Sequence, residues 1–382
     1  MEFIAILVMV IVVLAVQYYL YAKTSFQHFE YTCHFTKEEV MEGDEVGLVE
    51  TVINRKWLPL PWLKAELSTS QWLEYAGDQS DVLYGKRFVS SFFALRSYQK
   101  ISRTWKVKCL RRGVFEIHRV DLVDSDLLGF SSFSHSVTVH ARLTVLPRPL
   151  KEENATSLLR YLNGEVPVRR QLLADPFFLA GVQEYTGLEP MKRIHWTATA
   201  REGRLMVFQN QYTARKNLTI FLNTQSRPGF SSPTGDDLQL EDCIRFCAYL
   251  FRVAADSDTP FRFLSNGVDS ESKKPVVTAE SWGEGFALEQ SRALARLTAA
   301  HQPPLDAFLQ QQDPLLSSDE LIFISTYFDE VIQSFARQRA RAGAHVTVFV
   351  RGTVLPSDLD PGVYDIYALQ GTARQQKEGD PQ

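Results

Sequence analysis

The sequence predicts a chain in three parts: one membrane-spanning helix, an antiparallel β-sandwich, and an α/β domain on a mostly parallel sheet. Three observations carry this. Residues Phe3 to Ala22 hold no charge, and nothing later in the 382 residues resembles them. From Ser25 to about Leu150, short runs alternate apolar and polar residues, the period of a half-buried strand. From Leu218 onward apolar strand runs alternate with amphipathic helical stretches, the pattern of a covered parallel sheet.

Composition narrows the class. Apolar residues make up 45% and charged residues 23%, the balance of a globular protein rather than a disordered or fibrous one. A net charge of −4 and a pI of 6.1 disfavour a nucleic-acid binder, which usually carries a basic excess. Cys33, Cys109, Cys243 and Cys247 are too few for a disulfide scaffold at this length and suit a reducing compartment.

The first segment, FIAILVMVIVVLAVQYYLYA, has the ~20 residues that a helix needs to cross the ~30 Å hydrocarbon layer. Tyr18, Tyr19 and Tyr21 gather at one end, where aromatic rings favour the interface. A cleaved signal peptide would need a basic start and small residues at a cleavage site. Here the start carries Glu2 and the apolar run ends in tyrosines, so an uncleaved anchor over 1–23 is expected. Lys23 and Lys37 follow the span, which by the positive-inside tendency places the rest of the chain in the cytoplasm.

The sandwich is expected over 24–150. Its strand runs are EVGLVETVIN, PWLKAELS, RTWKVKCL, VFEIHRVDLV and SVTVHARLTVLP, divided by Glu42-Gly43-Asp44, Leu58 to Pro61, Arg111-Arg112-Gly113 and Asp124 to Gly129. Leu146-Pro147-Arg148-Pro149 closes it, and 151–217 reads as a connector. The α/β domain is expected over 218–372. Its strands are LTIFLN, PFRFLS, ELIFIS, HVTVFVR and VYDIYAL; between them, Leu240, Ile244, Cys247, Leu250 and Phe251 line one helix face behind the caps Asp236 and Asp237. LEQSRALARLTA and FDEVIQSFARQRARA supply two more helices, and 373–382 reads as a disordered tail. In such sheets ligands sit at the carboxyl ends of the strands.

Between the two regions lies GVQEYTGLEPMKRIHWTATAREGRLMVFQNQY. Glu184 is expected to pair with a nearby arginine, and Trp196 to pack as a buried aromatic where the regions meet. Aromatic rings among basic residues could also stack bases, but the chain's acidity argues against this. Within the stretch, Glu184, Tyr185, Arg193, Ile194, His195, Trp196, Ala200 and Arg201 match in order and spacing the signature of the family called domain of unknown function 58. Arg111 to Phe115 followed by Asp124 to Phe130 resembles a flanking segment of the same family, and the amino-terminal anchor fits it. Gln183 stands where the family usually has Arg, and Leu188-Glu189 where it has Gly-Asp.

The resemblance implies that the last domain is similar to a von Willebrand factor A domain, with a Rossmann-like sheet. Many such domains bind Mg²⁺ through Asp-x-Ser-x-Ser after the first strand, a later Thr, and an Asp after the fourth. Hard oxygen ligands of that kind suit the ion. Here Asn223, Gln225 and Arg227 occupy the first three positions, and Thr326 follows ELIFIS where relatives often carry Asp. The metal site is therefore expected to be degenerate, and no cofactor is expected. Arg227 could instead take a partner's carboxylate directly.

No nucleophile elbow, phosphate loop or His-Glu-x-x-His motif occurs. His195 is expected to make a structural hydrogen bond, and Cys243 and Cys247 to be small core residues. Gly283 and Gly285 read as a loop. The resemblance thus implies a non-enzymatic, membrane-anchored adaptor whose main partner is a MoxR-type AAA+ ATPase, with other envelope proteins as clients. The alternative is an extracytoplasmic module that recognises wall material or a secreted protein.

Overall fold

The computed structural model describes residues 2–77, 80–126, 129, 131–150, 179–185, 194–210, 218–227, 238–300, 302–316, 320–354 and 362–369. The expected caps Asp236 and Asp237, most of the 151–217 connector and the 373–382 tail lie outside them. The chain divides into two compact units. One is Met1–Leu150 with Val268–Lys274 and Leu288–Thr298; the other is Lys151–Gly267, Pro275–Ala287 and Ala299–Gln382.

Helix α1 (Glu2–Thr24) carries the uncharged run. Ile6–Thr24 is long and apolar enough to cross a membrane or to act as a signal sequence, with only 6% of that window buried. Ten strands follow: β1 (Phe29–Phe35), β2 (Glu39–Met41), β3 (Glu45–Asn54), β4 (Leu60–Ser70), β5 (Leu73–Tyr75), β6 (Ser80–Leu83), β7 (Lys86–Leu95), β8 (Lys100–Cys109), β9 (Gly113–Ser125) and β10 (Ser132–Leu146). They form two sheets, ordered β1-β3-β8-β5 and β2-β10-β9-β4-β7-β6. Pairing is antiparallel apart from β2 against β10. Alternate residues point inward: Val46, Leu48 and Val52 from β3, Trp105 and Val107 from β8, Leu63, Ala65 and Leu67 from β4, and Ile117, Val120 and Leu122 from β9 fill one core. The antiparallel sandwich expected from the alternation is thus present.

An acid sits among these apolar side chains. Glu50, fully buried on β3, accepts hydrogen bonds from the Tyr31 hydroxyl at 2.5 Å, Trp105 Nε1 at 2.7 Å and the Ser91 hydroxyl. Burial, with Glu50 alongside, drives the Tyr31 hydroxyl far above its usual range and pushes the Cys33 thiol up to about 12. Cys33 is therefore an inert core thiol.

The last turn of α1 is fastened to the sandwich. The Tyr21 hydroxyl donates to the Pro59 carbonyl at 3.2 Å, Lys56 Nζ to the carbonyls of Thr24 (2.7 Å) and Ser25, and the Ser25 hydroxyl to Asp124. Burial pushes Asp124 from an ordinary 3.8 up to about 6, against the Ser25 hydrogen bond and the Lys56 charge; burial lowers Lys56 to about 8. An acid whose folded pKa is raised holds its proton more tightly when folded. Its contribution is complete below about pH 4 and is lost as pH rises through about 6. The chain is expected to lose thermal stability relative to Asp124→Asn across that window; a pH-independent difference between the two would contradict the assignment.

In the second unit, β11 (Leu179–Glu184), α2 (Trp196–Glu202) and β12 (Met206–Asn210) come first, with β11 and β12 paired antiparallel. The α/β elements follow: β13 (Leu218–Leu222), α3 (Leu238–Asp256), β14 (Phe261–Asp269), β15 (Pro275–Val277), α4 (Glu284–Arg296), β16 (Leu297–Thr298), α5 (Leu305–Gln311), β17 (Glu320–Phe328), α6 (Glu330–Arg341), β18 (His345–Val354) and β19 (Asp365–Ala368). The sheet order is β15-β14-β13-β17-β18-β19, with β16 beside β14. β14, β13, β17, β18 and β19 run parallel, and β16 is antiparallel.

Successive strand residues face opposite sides, and helices take both. Phe349 packs on Phe246 of α3, with ring centroids 4.6 Å apart. Its neighbours Val348 and Val350 join the cluster formed with Phe308 of α5 and Phe335 of α6. Leu240, Ile244, Cys247, Leu250 and Phe251 are buried along α3, as the spacing predicts. Cys243 and Cys247 are free, fully buried core residues. Gly285 departs from expectation: only Gly283, at φ +91°, precedes the helix, while Gly285 lies in the first turn of α4.

Candidate functional site

The carboxyl edge of the parallel sheet is where β13 ends at Leu222, level with Ser265 of β14 and Ile324 of β17. Three of the four residues expected at the degenerate metal position converge here. Asn223 is fully buried, and Gln225 and Thr326 are nearly so. Asn223 Nδ2 donates to the Ser325 hydroxyl at 3.1 Å. Asn223 Oδ1 accepts from Asn266 Nδ2 at 3.0 Å and from the Gln225 amide at 3.1 Å. Asn266 Oδ1 accepts from the Thr224 amide at 2.8 Å, and the Thr224 hydroxyl donates to Gln302. The Thr326 hydroxyl donates to the Gln225 carbonyl at 2.8 Å, and the Tyr327 hydroxyl to Gln225 Oε1, also at 2.8 Å.

Every side chain in this network is an amide or a hydroxyl. Asn223 uses its nitrogen as a donor, which a carboxylate in its place could not do. The amide is therefore the centre of a cross-strand lattice rather than merely a missing ligand. Burial, with a contribution from Asp329, pushes the Tyr327 hydroxyl up to about 12 despite the opposing Asn223 hydrogen bond, so it stays neutral. Asp329 itself caps α6, accepting from the Ile332 amide at 3.0 Å. Asp242 of α3 is held by Arg245 at 3.0 Å and Arg351 at 2.9 Å. Among the described residues no three His, Cys, Asp or Glu side chains are grouped to hold a metal.

Arg227, the fourth expected residue, is exposed just past this lattice and has no ion-pair partner among the described residues. Ser265, Asn266, Gln302, Ser325 and Tyr327 were missed by sequence reasoning. A signal existed for some: a serine ends each of the apolar runs PFRFLS and ELIFIS, and Asn266 and Tyr327 follow closely. Polar residues at the same level of adjacent strands would meet at one sheet edge.

The signature residues form a second, separate group. Glu184 at the end of β11 pairs with Arg204 at 3.1 Å, the expected kind of partner. The Tyr185 amide donates to the Leu205 carbonyl at 2.8 Å. Ile194 is buried. His195 has the structural role expected of it: it is the N-cap of α2, its Nδ1 accepting from the Ala198 amide at 3.3 Å. Its own amide donates to the Met206 carbonyl at 2.7 Å. Trp196 corrects the expectation of a buried aromatic, because it is 67% exposed. Its position explains this: it opens a seven-residue helix with no buried residues, and Ala200 and Arg201 share that exposure. Arg193, like Leu188 and Glu189, lies outside the described residues.

No family model matches the chain, and no curated protein matches it significantly. Solved structures similar to part of it include a non-cellulosomal cohesin from Archaeoglobus fulgidus, at 14% identity and TM-score 0.22, covering 34% of this chain and 97% of the cohesin. A CARDB domain from Pyrococcus furiosus, determined with di-metal ions, is 11% identical at TM-score 0.21, covering 32% and 91%. A cohesin–dockerin complex from Clostridium thermocellum matches at 8% identity and TM-score 0.20, covering 30% and 99%. Likenesses this distant assign neither ligand nor partner.

Proposed function

We propose that this chain is a non-enzymatic, membrane-anchored adaptor of the domain of unknown function 58 type. Its von Willebrand factor A-like domain docks a protein partner, a MoxR-type AAA+ ATPase, without a bridging metal, and its soluble part is cytoplasmic. The observation that carries this is the neutral hydrogen-bonded lattice of Asn223, Gln225, Asn266, Ser325 and Thr326 at the carboxyl edge. Among the described residues a cation seated there would meet amides and hydroxyls rather than a carboxylate, and it would have to break the hydrogen bonds that hold Asn223, Asn266 and Thr326. Among the described residues of this network every hydroxyl faces an amide, a carbonyl or another hydroxyl rather than a base that could make it a nucleophile. What the edge offers a partner is Arg227, an exposed fork suited to a carboxylate. Energy for assembly work comes from ATP hydrolysed by the partner.

Three measurements test this. Titration of the detergent-solubilised chain with Mg²⁺ or Mn²⁺ in a calorimeter is expected to give no saturable heat; micromolar saturation would overturn metal-free docking. Co-purification from membranes is expected to recover the ATPase with the native chain and much less of it with Arg227→Glu. Trp196→Ala serves as the folded comparator, since its ring is exposed. Unchanged recovery with Arg227→Glu would refute the charge pairing. A reporter at Gln382 that reads extracytoplasmic would refute ATPase docking and favour recognition of wall material or a secreted protein.

A further inference from the structure

We propose that the end of the β-sandwich next to α1 rests on the membrane, with Trp57 and Tyr98 inserted at headgroup level. This deepens the anchored reading of α1 and rests on it. Trp57 and Tyr98 are 64% and 72% exposed, although their loops are tightly held. Lys56 and Pro59, on either side of Trp57, both bind the last turn of α1. The Tyr98 amide donates to the Lys56 carbonyl at 3.1 Å, and the Ser97 hydroxyl to the Trp57 carbonyl. Buried Asn54 clasps both loops, its Nδ2 donating to the carbonyls of Leu58 at 2.9 Å and Arg96 at 3.0 Å.

The two rings are thus fixed beside the point where the apolar helix ends. Tyr98 is held at φ +57°, a left-handed conformation that costs a non-glycine residue roughly 1 kcal/mol. The occupant follows from continuity. A helix that crosses the bilayer over Phe3 to Ala22 places Thr24 and Ser25 at its surface, and with them the loops bonded to those two residues. Trp and Tyr are the residues that favour this layer. Tyr18 and Tyr19 on α1, and Lys23 and Arg96 around the rings, are exposed as well, and these two charges suit an anionic leaflet; Arg55 is exposed too, paired with Glu30 at 3.0 Å. Trp62, 62% exposed at the start of β4, extends the aromatic surface.

The opposite end of the sandwich supplies the control. Tyr84, 95% exposed, sits at the turn before β7, and the length of β7 places it about 30 Å from the α1 end. The four native cysteines are buried, so a nitroxide can be directed to introduced ones. The full chain, in vesicles of phosphatidylcholine and phosphatidylglycerol, would be labelled singly at Tyr98→Cys, Trp57→Cys, Tyr84→Cys and Val12→Cys. Accessibility to oxygen and to a water-soluble nickel chelate would then be read by power saturation, and folding checked by circular dichroism. Labels at 98 and 57 are expected to show several-fold lower nickel accessibility than the label at 84, and the label at 12 to read deep in the bilayer. If 98 and 57 match 84 while 12 reads deep, the interfacial contact is refuted and the anchor stands. If 12 is also as accessible as 84, the anchored reading itself fails.

Discussion

Replacing Glu50 by alanine is expected to destabilise the sandwich more than any surface change. The carboxyl group takes hydrogen bonds from Tyr31, Ser91 and Trp105 at a fully buried position. Alanine orphans the Tyr31 and Ser91 hydroxyls, leaves Trp105 Nε1 only its 3.2 Å bond to Ser91, and opens a cavity. At about 1–3 kcal/mol for each of the two unsatisfied hydroxyls, with the cavity in addition, the loss is about 3 kcal/mol or more, a large share of a net stability of roughly 5–15 kcal/mol. For a unit of this size that corresponds to a midpoint lowered by about 6–12 °C. Glu50→Gln keeps the shape and one acceptor but turns an amide toward the Trp105 N–H, so it is expected to fall between alanine and the native chain. Hydrogen exchange resolves the effect by location, with β1, β3 and β8 losing protection while β17 and β18 keep theirs. A Glu50→Ala chain that melts within a degree of the native one would show that the cluster contributes nothing to stability.

Gly352→Ala is expected to disturb the candidate site without touching any of its side chains. β17 and β18 slip register between Ser325 and Tyr327, where pairs Ser325↔Val350 and Tyr327↔Thr353 leave Arg351 and Gly352 facing Thr326 alone. This two-against-one step is a β-bulge. It brings Gly352 under the backbone of Thr326, so that an added Cβ would strike the Thr326 carbonyl oxygen and also Gln239 Oε1. A backbone atom cannot swing aside as a side chain can. The strands must separate locally, at about 1–3 kcal/mol for an overpacked position. Thr326 carries the hydrogen bonds to the carbonyls of Gln225 and Ser226, so the loop bearing Arg227 should loosen with it. The expected result is faster exchange at 223–227 and a lower melting midpoint, with α1 and the sandwich unaffected. Unchanged protection at 223–227 would mean that the bulge does not support this edge.

The legibility of each element followed its surroundings. EVGLVETVIN and VFEIHRVDLV could be read because one face of each strand is wet, which prints alternation into the sequence. β7 could not: KRFVSSFFAL puts Phe88 and Phe92 on its outer side, 44% and 61% exposed, and so erases the period. β1 was also missed, although FEYTCHF alternates and buries Tyr31, Cys33 and Phe35. In the α/β domain β17 is buried from end to end, and its apolar run stood out. Trp196 was misjudged because a tryptophan in a motif suggests packing, whereas a short helix capped by His195 presents it outward.

The sequence by itself determined the order of the parts: the uncharged run, the alternating strands and the switch to a strand–helix period. These are local patterns, since hydrophobic periodicity is written in neighbouring residues. The resemblance read in the sequence also singled out Asn223, Gln225 and Thr326, and the strand–helix pattern put strand ends of this kind at one sheet edge. Only the tertiary structure decided what those residues do. The partners of Asn223 lie 43 and 102 positions away, at Asn266 and Ser325, and those of Glu50 come from three other strands. Whether a buried polar group is a ligand, a lattice point or a fault depends on which atoms face it, and the fold alone brings those atoms together.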